Sequence, residues 1–383
     1  MTRLARQATA EPGMPLKSLH VDTAETWRGG QNQVLQLVTG LGEIGAPAVL
    51  VAHEAGELRR RAQEGLRFHH FTPRSEFDVH AAWALGRIIA DVKPDVVHAH
   101  DPMGVALTAM ALPMAPGLER PPLFVAARRV DFHLKRHAFS RWKYRQIDVF
   151  IAASHGIARI LEVDRVPPDR IVVVHDGVNV DWIDRQPDVD AHAAFWLPKG
   201  APLVGNVAAL VAHKGQRHFV AAAARVIREI PDVRFLIVGE GDLREPLERQ
   251  IRELGLERHV FMTGFRDDAV GLQKSFDVFV MSSVTEGLGS AMLDAMACAR
   301  PVVASRTGGI PEAIEHGSTG LLVPPQDESA LARAIVEVLG DADLGRRIGA
   351  AARQRIVDEF SLERMVSQTL AVYESRRRED VKA

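Results

Sequence analysis

Short runs of β-forming apolar residues recur along this chain, each followed by a segment with helical spacing. That alternation constrains the fold more than any other feature of the sequence. The runs 16–21, 48–52, 68–71, 95–98, 123–126, 149–152 and 171–174 form a first set, with helical segments such as 32–42 and 79–91 between them. The pattern then pauses at 185–202, RQPDVDAHAAFWLPKGAP, where three prolines and scattered charges read as a linker between domains. It restarts with strands at 203–207, 234–238, 260–263 and 278–281 and helices at 215–229 and 243–254. Strands that alternate with helices give parallel sheets covered on both faces. Two such halves leave a cleft between them, and open parallel sheets bind ligands at their strand ends.

Length agrees, since 383 residues suffice for two domains. A net charge of −2 gives no general attraction to nucleic acid, so none is expected as a partner. Cys298 is the sole cysteine, which rules out an intrachain disulfide and fits a reducing, cytoplasmic compartment. The first fifteen residues lack the apolar core of a signal peptide, and no apolar run approaches the roughly 20 residues that span a bilayer. The expectation is a cytoplasmic protein that at most lies on the inner face of a membrane.

The most informative stretch is 282–304, SSVTEGLGSAMLDAMACARPVVA. It follows a buried strand and reads as a loop with two glycines, a helix N-capped by Ser290, and a second buried strand. Glycines at 287 and 289 let backbone approach a ligand, and the free amides at the helix start favour an anion. Glu286 stands in the loop and Asp294 one turn inside the helix. Donors for phosphate beside acceptors for hydroxyls suit a nucleotide-sugar.

Glu286, seven residues, Asp294, then AMACARPVVAS and Gly308-Gly309-Ile310-Pro311-Glu312 resemble the retaining GT-B glycosyltransferases of family 4. The resemblance implies an α/β GT-B fold of two Rossmann-like domains facing across a cleft. Residues 14–187 would be the acceptor side, 199–361 the nucleotide-sugar side, and the final helix, 362–383, would cross back to the first. It further implies that Glu286 contacts the transferred sugar, with Gly287, Leu288, Gly289 and Ser290 around the donor, and that the second carboxylate holds the ribose. The family has glutamate at that second position; here it is Asp294, one methylene shorter. The family's glycine after the helix is Ala299.

Other stretches match the family one by one. Lys214-Gly215 opens the helix 215–229, where the resemblance places a lysine on the donor diphosphate. The arginine usual five residues earlier is Ala209, so His213 and Arg128 are candidate substitutes. Gly29-Gly30 precedes a helix and matches the glycine loop that faces the donor phosphates. Gly239 and the pair Phe265-Arg266 sit at strand ends that would border the base pocket. His98-x-His100 follows a strand and His100-Asp101-Pro102 reads as a cleft loop; no third ligand is evident, so a solvated or acceptor-contacting pair is expected, with no metal and no other cofactor. The loop after 123–126 carries Arg128, Arg129 and later His133 as acceptor-side candidates. From Arg128 to Arg145, seven lysines and arginines stand against the single acid Asp131, with Phe132, Phe139, Trp142 and Tyr144 interleaved. That composition reads either as a solvated helix face or as a basic lip for an anionic acceptor or membrane surface.

The expected activity is retaining, metal-independent transfer of a sugar from a nucleoside-diphosphate donor to a glycan or lipid-linked acceptor. Two alternatives stand beside it. A nucleotide-sugar 2-epimerase on a similar fold would need acids and histidines around the sugar's second carbon, which the Glu286/Asp294 string fits poorly. A non-catalytic nucleotide-sugar-binding protein would accommodate Ala209 and Asp294.

Overall fold

The computed structural model describes residues 16–62 and 66–382; the leader read from the sequence lies outside them. Strands β1 (Ser18–Asp22), β2 (Ala48–His53), β3 (Arg67–Phe71), β4 (Val96–Ala99), β5 (Leu123–Arg128), β6 (Val149–Ala152) and β7 (Ile171–Val173) form one sheet. Its order is β3-β2-β1-β4-β5-β6-β7, and every pairing is parallel. Strands β8 (Leu203–Val207), β9 (Arg234–Val238), β10 (Val260–Gly264), β11 (Val278–Met281), β12 (Val302–Ser305) and β13 (Leu321–Val323) form the second, ordered β10-β9-β8-β11-β12-β13 and also parallel. Residues in β1, β4, β6, β11 and β12 are buried along their whole length, as strands packed by helices on both faces must be. Both sheets reverse direction of growth at a central pair, β1/β4 and β8/β11. The loops leaving those strands form the ligand-binding crevice of such sheets.

The last helix, Leu362–Lys382, returns to the first sheet. Leu362, Met365, Val366, Val372 and Tyr373 join one core cluster with Leu37, Leu41, Val96 and Val125. The two chain crossings sit side by side, with Val178 N–H donating to the Phe360 carbonyl at 2.9 Å and Leu362 N–H to the Val178 carbonyl at 2.9 Å.

Several local readings differ from the structure. The segment 185–202 is no free linker: Ala191 and Leu197 are buried in the second domain's core, and a short helix, Ala191–Ala194, is capped by Asp190. His100-Asp101-Pro102 is not an open loop either. Asp101 accepts from the amides of Met103 and Gly104 and starts the helix Pro102–Ala111, with proline at its first position. The helix over 32–42 begins earlier, at Gly29, so Gly29-Gly30 form its first turn rather than a preceding loop.

Candidate functional site

The crevice is built by close approach of backbone from the two domains. A Cβ placed on Gly29 would stand 2.2 Å from Ser290 Oγ, so the starts of the helices Gly29–Glu43 and Ser290–Ala297 nearly touch. A Cβ on Gly287 would stand 2.3 Å from the carbonyl oxygen of Arg129, from the first domain. At Gly287 only glycine fits without displacing backbone, whereas at Gly29 a Cβ would meet the side chain of Ser290. Phe132 meets His213 edge-on, ring centres 5.5 Å apart, also across the crevice. Two helix N-termini thus converge where a diphosphate is best received.

Glu286 is buried in this junction. Its carboxylate accepts from Lys214 Nζ at 2.8 and 2.7 Å and from Ser283 Oγ at 2.9 Å, while its backbone carbonyl accepts from Gly309 N–H at 3.1 Å. Lys214 ends a short 3₁₀ turn, Ala212–Lys214, and Gly215 caps the helix Gln216–Glu229, so the ammonium is spent on the carboxylate rather than aimed at a helix terminus. Sequence reasoning placed both residues at the site but did not pair them.

Ser290 is not the N-cap. That position belongs to Gly289, whose φ of 97° is left-handed, and Ser290 is the first helical residue. Leu288 is buried in the second domain's core, so its side chain is not free to line the crevice. Asp294 lies half-buried on the same helix, and its carboxylate accepts no hydrogen bond among the described residues. Burial pushes it up to about 7. Four residues on, Cys298 is driven up to about 12 by burial and then by Asp294.

On the first-domain side, His98 and His100 have a companion that sequence reasoning missed: His20, from β1, neighbouring β4 in the sheet. His20 Nδ1 lies 3.0 Å from His100 Nε2, and His20 Nε2 lies 2.9 Å from Ser18 Oγ. His100 Nδ1 lies 3.2 Å from Arg129 Nη1, and Arg129 Nε donates to Asp176 at 2.8 Å. This is one continuous chain of donors and acceptors in which each imidazole serves neutral. Burial lowers all three histidines, His20 to about 3, with Arg129 adding to the effect. His98 is buried, bonds to Tyr373 of the last helix at 2.7 Å, and is not solvated as expected. Asp22, at the end of β1, was also missed. Burial and then the neighbouring Asp101 raise it to about 6, and Gln31 donates to it at 3.1 Å.

The remaining candidates divide. Arg128 is buried at the end of β5 and donates to the carbonyl of Phe132, so it is not a spare cation for the donor. His133 is exposed and bonds to Asp164 at 2.9 Å. Gly239 and Gly264 pair at the ends of β9 and β10, Phe265 is exposed beside them, and Arg266 is held by Asp268. The basic lip is thinner than its composition: Lys143 is buried and donates to Glu76 at 2.7 Å. Lys135, Arg136, Arg141 and Arg145 remain exposed around a surface cavity of about 410 Å³.

A second junction lies next to Glu286. Glu312 of the second domain accepts from the amides of His155 and Gly156, each at 2.8 Å, and from His175 Nε2 at 2.9 Å. Burial pushes its carboxyl up, but the bonds from His175, His155 and Gly156 outweigh this and hold it below its ordinary value.

Two parallel-sheet domains with a crevice of this construction define the GT-B class. Residues 190–355 match the family described as Glycosyl transferases group 1, and residues 27–182 match Glycosyltransferase Family 4. The glycogen synthase of Mycobacterium tuberculosis is 30% identical over 303 residues, covering 75% of this chain and 70% of that protein. The lipopolysaccharide core biosynthesis glycosyltransferase LpsE of Rhizobium meliloti is 28% identical over 353 residues, covering 91% of this chain and 96% of its own. Among solved structures, Anabaena HepE in complex with UDP-glucose superposes with a TM-score of 0.81 at 20% identity, over 94% of this chain and all of that one. Other curated relatives are matched over only 62–63% of their own length. The chain belongs to the family-4 type of GT-B glycosyltransferases.

Proposed function

We infer that this chain transfers a sugar from a nucleoside-diphosphate donor to a glycan or lipid-linked acceptor, with retention at the anomeric carbon and without a metal on the diphosphate. The observation that carries this reading is the Lys214–Glu286 pair, set where two helix N-termini converge. A diphosphate entering there competes for the Lys214 ammonium, and a charge-assisted contact of this kind contributes about 1.5–3 kcal/mol. Glu286, released, is an acceptor-only group that needs new donors, and sugar hydroxyls supply them. Negative charge growing on the leaving phosphate meets Lys214 and the helix-start amides around Gly30 and Ala291, which need no reorganisation as the bond breaks. Asp294 has an unused carboxylate one helical turn deeper, placed for the ribose. The departing phosphate takes the acceptor's proton, so no side chain is assigned as general base.

Anabaena HepE, solved with UDP and with UDP-glucose, supports a nucleotide-sugar donor, and the Rhizobium relative supports a glycan acceptor. Exposed Arg136, Arg141 and Arg145 on the first domain support work beside an anionic, cytoplasmic membrane face. A panel of UDP-, GDP- and ADP-sugars in thermal shift tests the reading. One nucleotide series should raise the melting temperature, with the matching free diphosphate doing likewise. A melting temperature unmoved by every member contradicts it.

A further inference from the structure

The junction beside Glu286 has a composition that its place in the fold does not require. Ser154 already caps the helix His155–Val163 by accepting from Ile157 N–H, and Glu312 of the other domain accepts the His155 and Gly156 amides, so no imidazole is needed to complete the helix start. Two imidazoles stand there as well. His175 bonds to Glu312, and the exposed side chain of His155 faces His175 at 5.9 Å between ring centres. One ring nitrogen from each histidine and one carboxylate oxygen all lie within 4.8 Å of one another.

We propose that His155, His175 and Glu312 form a Zn²⁺ site that clamps the two domains together. Two imidazoles and a carboxylate are a donor set that Zn²⁺ accepts, with a fourth position left for water. Tetrahedral bonds of about 2.0–2.2 Å set ligand atoms roughly 3.3 Å apart, so the present arrangement needs only a small swing of the exposed His155 ring. Glu312 has two oxygens, which lets one bind the ion while the other keeps a helix amide. The carboxylate also offsets the ion's charge. The trio His20, His98 and His100 contrasts on this point: it has no carboxylate among its ligand atoms, and the Arg129 guanidinium stands 3.2 Å from His100.

Binding would have a mechanical consequence. His155 and His175 follow β6 and β7 of the first domain, whereas Glu312 sits in the helix Ile310–Ala313 of the second. Gly309, next to that helix, donates to the backbone of Glu286. The ion therefore ties the first domain to the loop that carries Glu286, and it slows any cycle in which the crevice must open. This last step rests on the transferase reading; the site itself does not.

Co²⁺ titrated into the chelator-treated full-length protein tests the site directly. Wild type should bind one equivalent with the visible absorption of a low-coordinate ion, and Zn²⁺ should displace it and raise the melting temperature. His155→Ala and His175→Ala should each lose the signal. Among the described residues the His155 side chain makes no hydrogen bond in the metal-free fold, so His155→Ala also controls for misfolding. No binding by wild type, binding unaffected by both variants, or loss only in His98→Gln would overturn the proposal. Donor turnover, measured separately, should fall with Zn²⁺ in wild type but not in His155→Ala. Zinc bound at these residues without effect on turnover would overturn the clamp.

Discussion

Lys214 and Glu286 satisfy each other through two contacts, so neither can serve a substrate without releasing the other. This coupling sets the first expectation. On the proposed reading Glu286→Ala removes the sugar contact and frees Lys214, so a nucleoside diphosphate should bind as tightly as to wild type or more tightly in calorimetry. Turnover should fall on the order of a hundredfold or more, the scale for losing a preorganised charge contact. Parallel loss of both would move Glu286 out of the sugar pocket. Asp294 gives a pH test. Its folded carboxyl keeps a proton up to about 7 whereas the ordinary value is 3.8. Between those values the folded state binds the extra proton, so stability falls as pH rises and levels off above about 7. Asp294→Asn does not titrate, so its stability relative to wild type should climb across that window. Nucleotide affinity of wild type should strengthen through the same pH as the carboxylate forms, and that rise should vanish in the variant. Superimposable pH profiles for the two proteins would remove Asp294 from the ribose.

The helix Ser290–Ala297 shows what sequence could and could not give at the level of an element. Its end is strained: Ala299 has a φ of 56°, the left-handed region that suits glycine. Ala299→Gly should relieve that strain and, after the added freedom of the unfolded chain, stabilise the protein by about 0.5–1 kcal/mol in denaturant unfolding. A destabilised variant would contradict this. The strands were legible because residues buried on both faces leave uninterrupted apolar runs; β6, β8, β9 and β11 have the limits read from the sequence. Helix starts were less so, since Gly289 and Arg28, with no side-chain cap, begin two of the crucial helices. Asp101 shows the reverse, a cap that read as a loop. The basic helix Ala138–Arg145 depended on tertiary packing, because nothing local indicates that Lys143 turns inward to Glu76. Its exposed cations carry the membrane reading at roughly 1 kcal/mol each. Replacing Arg136, Arg141 and Arg145 with glutamate should therefore abolish salt-sensitive binding to anionic liposomes. Wild-type protein that ignores such liposomes at low salt would leave this a solvated face.

Across the whole molecule, the site residues come from opposite domains, and that explains which were legible. Glu286, Gly287 and Ser290 announced themselves within one continuous stretch. His20 could not, because its partners His98 and His100 reach it only through the β1/β4 pairing. The same holds for Glu312 and His175, joined across the interface. On the proposed reading Lys214 and backbone amides meet the diphosphate charge, so EDTA should leave transfer intact. A preparation that dies in EDTA and recovers with Mg²⁺ would end the metal-free reading. The central claim is that this crevice breaks a sugar–diphosphate bond, and release of nucleoside diphosphate from the donor panel by wild type and Glu286→Ala measures it most directly. Wild type should release it from one donor series, while Glu286→Ala binds the free diphosphate but releases almost none. Equal release by the two proteins, or none from any donor by wild type, would contradict it.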